Sequence, residues 1–224
     1  GDHLMLGGDN MDHALSRLCE PALAGGADRH LPAARFAQVI QQCRAAKERL
    51  LGQDAPEDLK ITLLGSGSSV VQGNVSTTLS RAAAEAAVVD GFFPHVDSEA
   101  EPAVRRAGLV EFGLPLAADP VITRHVAAFL KRQRQTVAEA LGLSREAAEA
   151  EPRRLQPDAV LLNGGVFRSS QLQNRILDVL GGFRGEALRK LDNPEPELAV
   201  ARGAVAYGLA RRGIGQCGLG QADR

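Results

Sequence analysis

The sequence predicts an α/β fold, and three observations carry that expectation. Two short apolar runs, Leu4-Met5-Leu6 and the run that opens at Asp158-Ala-Val-Leu-Leu162, each stop on a glycine pair, Gly7-Gly8 and Gly164-Gly165. Each pair is followed by apolar residues at helical spacing, the order strand, glycine turn, helix. Between the pairs lie longer amphipathic stretches and short strand-like runs. A strand that ends on glycine lets a ligand lie against bare backbone, because no Cβ holds it away. The same join is also the commonest one in any α/β protein, so the pattern alone does not assign a site.

Taken in order, Asp9 or Asn10 is expected to cap a first helix carrying Met11, Leu15 and Leu18 on one side. From Pro32 to Leu51, Phe36, Val39, Ile40, Cys43, Ala46 and Leu50 follow the helical period, while Gln41, Arg44, Lys47 and Glu48 take the more polar sides. The polar stretch Gly52 to Asp58 ends that helix, and Lys60 to Leu64 reads as a strand. Gly65-Ser-Gly-Ser-Ser69 invites a dinucleotide reading, but Val70 to Gly73 continues as a second strand, which favours a hairpin over a phosphate-cradling helix start. Ser76 or Thr77 is expected to cap a helix through Leu79, Ala83, Ala86, Ala87 and Val89, closed by Phe92-Phe93-Pro94-His95.

Asp97 to Glu111 is rich in Glu, Arg and Ala, and Gly113 to Pro120 is loop-like. The next helix carries Ile122, Val126, Phe129, Leu130, Val137 and Leu141 as its expected core stripe, with Lys131, Arg132 and Arg134 solvating its polar side. Ser144 to Pro157 reads as a short acidic helix or linker. After Gly164-Gly165 comes an amphipathic helix from Ser169 or Ser170 through Leu180, and Asn193-Pro194 opens a last helix running through Tyr207. Within it Gly203, among Ala201, Ala204 and Ala206, is expected to mark close approach of a neighbouring element. Gly213 to Arg224 reads as a frayed tail.

Composition narrows the function classes. A chain of 224 residues fits one large domain or two small ones. Lys+Arg 26 against Asp+Glu 27 gives a net charge of -1, so no global field draws in nucleic acid or an anionic membrane. Aromatic residues make up 4%, too few for base-stacking platforms. Cys19, Cys43 and Cys217 are odd in number and widely spaced, which suits reduced thiols in the cytoplasm. No apolar run reaches the length of a membrane span, and the N-terminus lacks signal-peptide character. His3, His13, His30, His95 and His125 show no metal-ligand spacing, and no nucleophile, base and acid set suggests catalytic residues. The opening at Gly1, inside what reads as an element, suggests a piece of a longer protein.

Four segments in this order resemble the nucleotide-binding domain of the seventy-kilodalton heat-shock (DnaK-type) chaperone family: Leu6-Gly-Gly-Asp-Asn-Met-Asp12, Cys43-Arg-Ala-Ala-Lys-Glu-Arg-Leu50, Val160-Leu-Leu-Asn-Gly-Gly-Val-Phe-Arg168 and Asn193-Pro-Glu-Pro-Glu-Leu-Ala-Val-Ala-Arg-Gly-Ala204. The resemblance covers most of the chain outside Asp97 to Asp119 and Ser144 to Gln156, and matches only the second lobe of that domain. It implies an actin-like ATPase (ribonuclease-H-like) lobe with a smaller helical and hairpin subdomain. Residues 1–31 and 157–212 would form the half-core, residues 32–156 the subdomain with insertions near 97–119 and 144–156, and residues 213–224 a flexible tail.

What the resemblance implies for the site is specific. Gly7 and Gly8 would approach the phosphates, Lys47 the ribose, Gly164 and Gly165 the nucleoside backbone, Arg168 would stack on adenine, and Glu197 would lie near the purine. The chemistry of those residue types agrees: glycine pairs expose N–H groups, lysine donates to hydroxyls, and a guanidinium plane stacks on a flat purine. The chain departs from the family at Arg44, where an acidic residue is usual, at Glu48, where a basic one is usual, at Leu51, commonly serine, and at Val166-Phe167, which replace small polar residues.

The resemblance further implies ATP or ADP with Mg²⁺ as ligand of the full-length protein, slow hydrolysis there, an exchange factor or co-chaperone and client proteins as partners, and no catalytic residue in this lobe. The segment alone is expected to bind ATP weakly or not at all and not to turn it over. Two alternatives stand beside it. One is a partner-docking module with a decayed nucleotide site, contacting through the Val121 to Leu141 helix or the Asp97 to Asp119 insertion. The other is a lobe of another actin-like kinase, such as a sugar kinase.

Overall fold

The computed structural model describes residues 6–64, 73–103, 119–193, 195 and 198–214. Leu4-Met5, Gly65 to Gln72, most of the Asp97 to Asp119 segment, Glu197 and the residues from 215 on lie outside the described residues.

Helix α1, Gly8–Ala24, starts directly on the first glycine pair, with Gly7 as its N-cap in place of the expected Asp9 or Asn10. Asn10 serves the cap from inside the first turn: the Gly7 N–H donates to its Oδ1 at 2.9 Å, and the Asn10 N–H donates to the Gly7 carbonyl at 3.1 Å. Met11, Leu15, Cys19 and Leu23 recur every four residues and are buried. Leu18 was expected on that stripe but is 55% exposed, since it sits one position off the four-residue row.

Helix α2, Ala33–Leu50, packs along α1. Its buried residues are Phe36, Val39, Cys43, Ala46 and Leu50, with Ile40 half-buried against the same core, as the period predicts. Strands β1, Asp58–Leu63, and β2, Val75–Ser80, form an antiparallel hairpin running from Asp58↔Ser80 to Leu63↔Val75.

The hairpin is as expected, with its second strand observed at Val75–Ser80; Val70 to Gln72 lie outside the described residues, and Ser76 and Thr77 are strand residues rather than helix caps. β-Branched Val75, Thr77 and Thr78 suit the pleated surface. The cap is Ser80, whose hydroxyl accepts from the Ala83 N–H at 3.1 Å and starts α3, Arg81–Glu85. A π turn, Ala86–Asp90, continues it and buries Val88 and Val89 ahead of buried Phe92 and Phe93.

Helix α4, Ile122–Ala140, meets the core only in part by the stripe expected. Thr123, Ala127, Ala128 and Ala138 are buried, whereas Phe129 and Leu141 are 53% and 54% exposed; Ile122, Val126 and Leu130 are half-buried beside the core and Val137 is half-buried. Small side chains let the helix lie close, and the Thr123 hydroxyl donates to the Pro94 carbonyl at 2.8 Å. Lys131 and Arg134 do more than solvate, since they pair with Glu101 and Glu99 across the preceding segment.

Helix α5, Arg145–Ala150, capped by Ser144, and a 3₁₀ turn, Pro152–Leu155, lead to strand β3, Ala159–Val160. The second glycine pair follows, then a 3₁₀ turn, Gly165–Arg168, and α6, Ser170–Arg184, capped by Ser169 and burying Leu172, Ile176, Val179, Leu180 and Phe183. Strand β4, Arg189–Lys190, pairs parallel to β3, so β3, α6 and β4 form a βαβ unit. Helix α7, Ala199–Arg211, buries none of its residues. Gly203 was expected to mark a close approach, yet a Cβ there would meet open space among the described residues.

The chain is therefore mixed α/β and mostly helical, with two small sheets among the described residues. One cluster of buried side chains runs from Met11 on α1 to Phe183 on α6, so both glycine turns are anchored to a common core. Among the described residues no helix is long and apolar enough to cross a membrane.

Candidate functional site

The two glycine turns meet at Gly8. A Cβ built on Gly8 would lie 3.2 Å from Lys47 Nζ and 3.7 Å from Val166 Cγ2, and Val166 directly follows Gly164-Gly165. Three elements thus converge: the start of α1, the last turn of α2 and the turn after β3. The α1–α2 packing supplies one half of this geometry. A hydrogen bond supplies the other, as the Ser169 hydroxyl donates to the Leu51 carbonyl at 2.7 Å and pins the start of α6 to the end of α2.

Of the four glycines in these two turns, Gly164 is the one whose backbone requires glycine, and Gly8 is the one with a neighbour against it. Gly164 has φ +93 and ψ 158, a conformation that side chains with a Cβ avoid, while Gly8 has Lys47 packed where a side chain would begin. The N–H of Gly7 is committed to Asn10 and that of Asn10 to the Gly7 carbonyl, so the donors this turn can turn toward a ligand are the Gly8 and Asp9 N–H groups at the start of α1.

Lys47 is nearly buried, its side chain 12% exposed. Its Nζ donates to the Gly8 carbonyl at 3.1 Å and lies 2.6 Å from Asp12 Oδ1. Asp12 is buried one helical turn beyond Gly8. Burial pushes its carboxyl above the usual range, and the Lys47 bond and charge, with Arg44, pull it down without cancelling the effect. Arg44 lies 3.8 Å from Asp9 and 4.0 Å from Asp12, so the turn carries a mixed cluster of two carboxylates and two cations. Arg168 ends the 3₁₀ turn, is exposed, and makes no hydrogen bond or ion pair among the described residues. Glu197 lies outside the described residues.

Val166 and Phe167 point to different surroundings. Val166 goes to Gly8, whereas Phe167 lines a cleft of about 360 Å³ together with Leu162, Gln173, Lys190 and the run Leu191 to Asn193. The cleft lies beyond the carboxyl ends of β3 and β4, where open parallel sheets hold ligands. Asn193 closes its floor, its Nδ2 donating to the Leu162 carbonyl at 3.0 Å and to Asn163 Oδ1 at 2.6 Å. Lys190 Nζ donates to Gln173 Oε1 at 2.9 Å, and Gln173 Nε2 donates to the Phe167 carbonyl at 2.6 Å.

Sequence reasoning assigned no role to Asp12 or to these cleft residues. For Asp12 the signal was present, since a residue four beyond Gly8 lies on the same helical face. For Asn193 the strand-end tie is not visible in a residue that reads as a helix opener.

Among the other candidates three histidines have structural partners, while His3 and Cys217 lie outside the described residues. His13 stacks edge-on against Phe36, His125 Nε2 lies 2.9 Å from the Asp119 carbonyl oxygen, and His30 sits against Glu20. Cys19 and Cys43 are buried free thiols. Among the described residues no three His, Cys, Asp or Glu side chains group as metal ligands would. No family model and no curated protein matches the chain.

Proposed function

We propose that the chain is the second lobe of an actin-like, DnaK-type nucleotide-binding domain and forms the adenosine side of an ATP cleft. The observation that supports this is the meeting of Gly8, Lys47 and Val166, which borders two sequence-remote glycine turns on one place. In this reading Lys47 donates to the ribose, Gly164 and Gly165 lie along the nucleoside, the exposed guanidinium of Arg168 stacks on adenine, and Glu197 faces the purine. Gly7 and Gly8 face the phosphates through the first turn of α1. ATP or ADP with Mg²⁺ is the ligand of the two-lobed protein, which works in the cytoplasm with an exchange factor or co-chaperone and client proteins. Phosphoryl transfer needs groups on both sides of the γ-phosphate, so this lobe alone supplies binding and no turnover.

Calorimetry of ATP binding to the two-lobed protein tests the reading. Arg168→Ala is expected to weaken ATP by about 0.5–2 kcal/mol, the worth of a cation stacked on an aromatic face. A second reading, a docking module with a decayed nucleotide site, is favoured by exposed Phe129 and Leu141 on α4. Under it Arg168→Ala leaves ATP binding unchanged. Steady ATP hydrolysis by the purified 224-residue chain would contradict the assignment of this lobe as a non-catalytic half.

A further inference from the structure

Asp12 is buried, and it holds Lys47 from one helical turn beyond Gly8. An ammonium has three hydrogens. The Lys47 nitrogen lies 2.6 Å from Asp12 Oδ1 in an ion pair that does not meet hydrogen-bond geometry, and it donates to the Gly8 carbonyl, which leaves at least one hydrogen without a partner among the described residues. The charge that a ligand meets here is not that of a bare lysine. The carboxylate of Asp12 offsets it at contact distance, and Asp9 adds a second negative charge near Arg44.

A phosphate placed against the remaining hydrogen gains little net attraction, because it also faces the buried carboxylate. A hydroxyl accepts the same hydrogen bond at no such cost. Resting on the nucleotide-site reading above, we infer that Asp12 is a positioning residue for Lys47 and makes that position select uncharged hydroxyl-bearing ligands, a sugar ring, over phosphate. Besides Lys47, the groups facing Asp12 are Arg44 and the Cys43 thiol from α2 and Asp9 from α1. Burial already favours the protonated carboxyl, so acidification releases Lys47 from its anchor and removes the selection.

Nuclear magnetic resonance of the lysine side chains tests this directly, because the chain has only Lys47, Lys60, Lys131 and Lys190, and the method reads weak binding. Adenosine and inorganic pyrophosphate are the probes, with Lys60 as internal reference. In the wild-type chain adenosine is expected to move the Lys47 signal and pyrophosphate to leave it in place.

In Asp12→Asn, adenosine affinity is expected to fall roughly threefold to tenfold, the worth of one hydrogen bond, and pyrophosphate to move Lys47. Lowering the pH of the wild-type chain, while its amide spectrum stays folded, is expected to reproduce the variant's behaviour, which keeps the test valid if the variant does not fold. Equal adenosine affinity in both chains with Lys47 still blind to pyrophosphate would overturn the role of Asp12 and leave the nucleotide reading standing. A folded wild-type chain whose Lys47 ignores adenosine would overturn the selection, and the nucleotide reading itself stands or falls with ATP calorimetry on the two-lobed protein.

Discussion

At the scale of single residues, neighbouring glycines carry unequal burdens. Gly164 sits at φ +93, so Gly164→Ala is expected to cost about 1–3 kcal/mol in chemical denaturation, while Gly165→Ala, with open space around its Cβ, is expected to stay within about 0.5 kcal/mol. The sequence marks both as punctuation and cannot tell them apart, because the sign of φ is set by the turn they join. Glu20 makes a second case. It is buried, and burial pushes its carboxyl up, but the Leu31 N–H at 2.9 Å, Arg17 and His30 outweigh that and leave it below the usual 4.5. A depressed carboxylate stabilises in full above its unfolded value and loses that contribution as pH falls through its folded one. Glu20→Gln is therefore expected to cost about 1–3 kcal/mol at neutral pH and to flatten the acid limb of stability below pH 4.5, measured by denaturation at several pH values. Asp12 has the opposite sign, its raised carboxyl lowering stability as pH climbs from 3.8 through its folded value.

At the scale of elements, α1, α2 and α6 were legible because their apolar residues keep the helical period over several turns and the core takes that face. Helix α4 was legible as a helix and only in part in orientation. Its large apolar residues suggested one stripe, whereas close packing selected Ala127 and Ala128 with Thr123, whose hydroxyl finds the Pro94 carbonyl. Ala127→Leu is thus expected to overpack the α4 contact and lower stability by about 1–3 kcal/mol, while Phe129→Ser stays within about 0.5 kcal/mol, read from thermal or denaturant midpoints. The hairpin was legible from two apolar runs around a glycine- and serine-rich stretch, but Ser76 and Thr77 were read as helix caps because their hydroxyls suit a cap as well as a strand, and only pairing with Asp58–Leu63 places them in β2. Gly203 misled for a related reason: alanine and glycine allow close packing but do not create a neighbour.

At the scale of the whole molecule, the site depends on a core that joins segments from both ends of the chain. Leu15 is fully buried in the cluster that contains α1, α2 and α6, so Leu15→Ala is expected to cost about 2–5 kcal/mol and to loosen the Gly8, Lys47 and Val166 meeting with it. The glycine pairs could be picked out from residue type and position, and Lys47 only through the family resemblance. Asp12 and the cleft beside Phe167 could not, because what they do is set by partners that only the fold brings within reach.

Whether both turns serve one ligand is read most directly, residue by residue, by a backbone-amide magnetic resonance titration of the two-lobed protein with adenosine. The expected result is that the Gly8 and Gly165 amides shift together along one saturation curve while Gly25 and Gly185, at the far ends of α1 and α6, stay still. A shift at only one turn, or at neither in a folded chain, would contradict it.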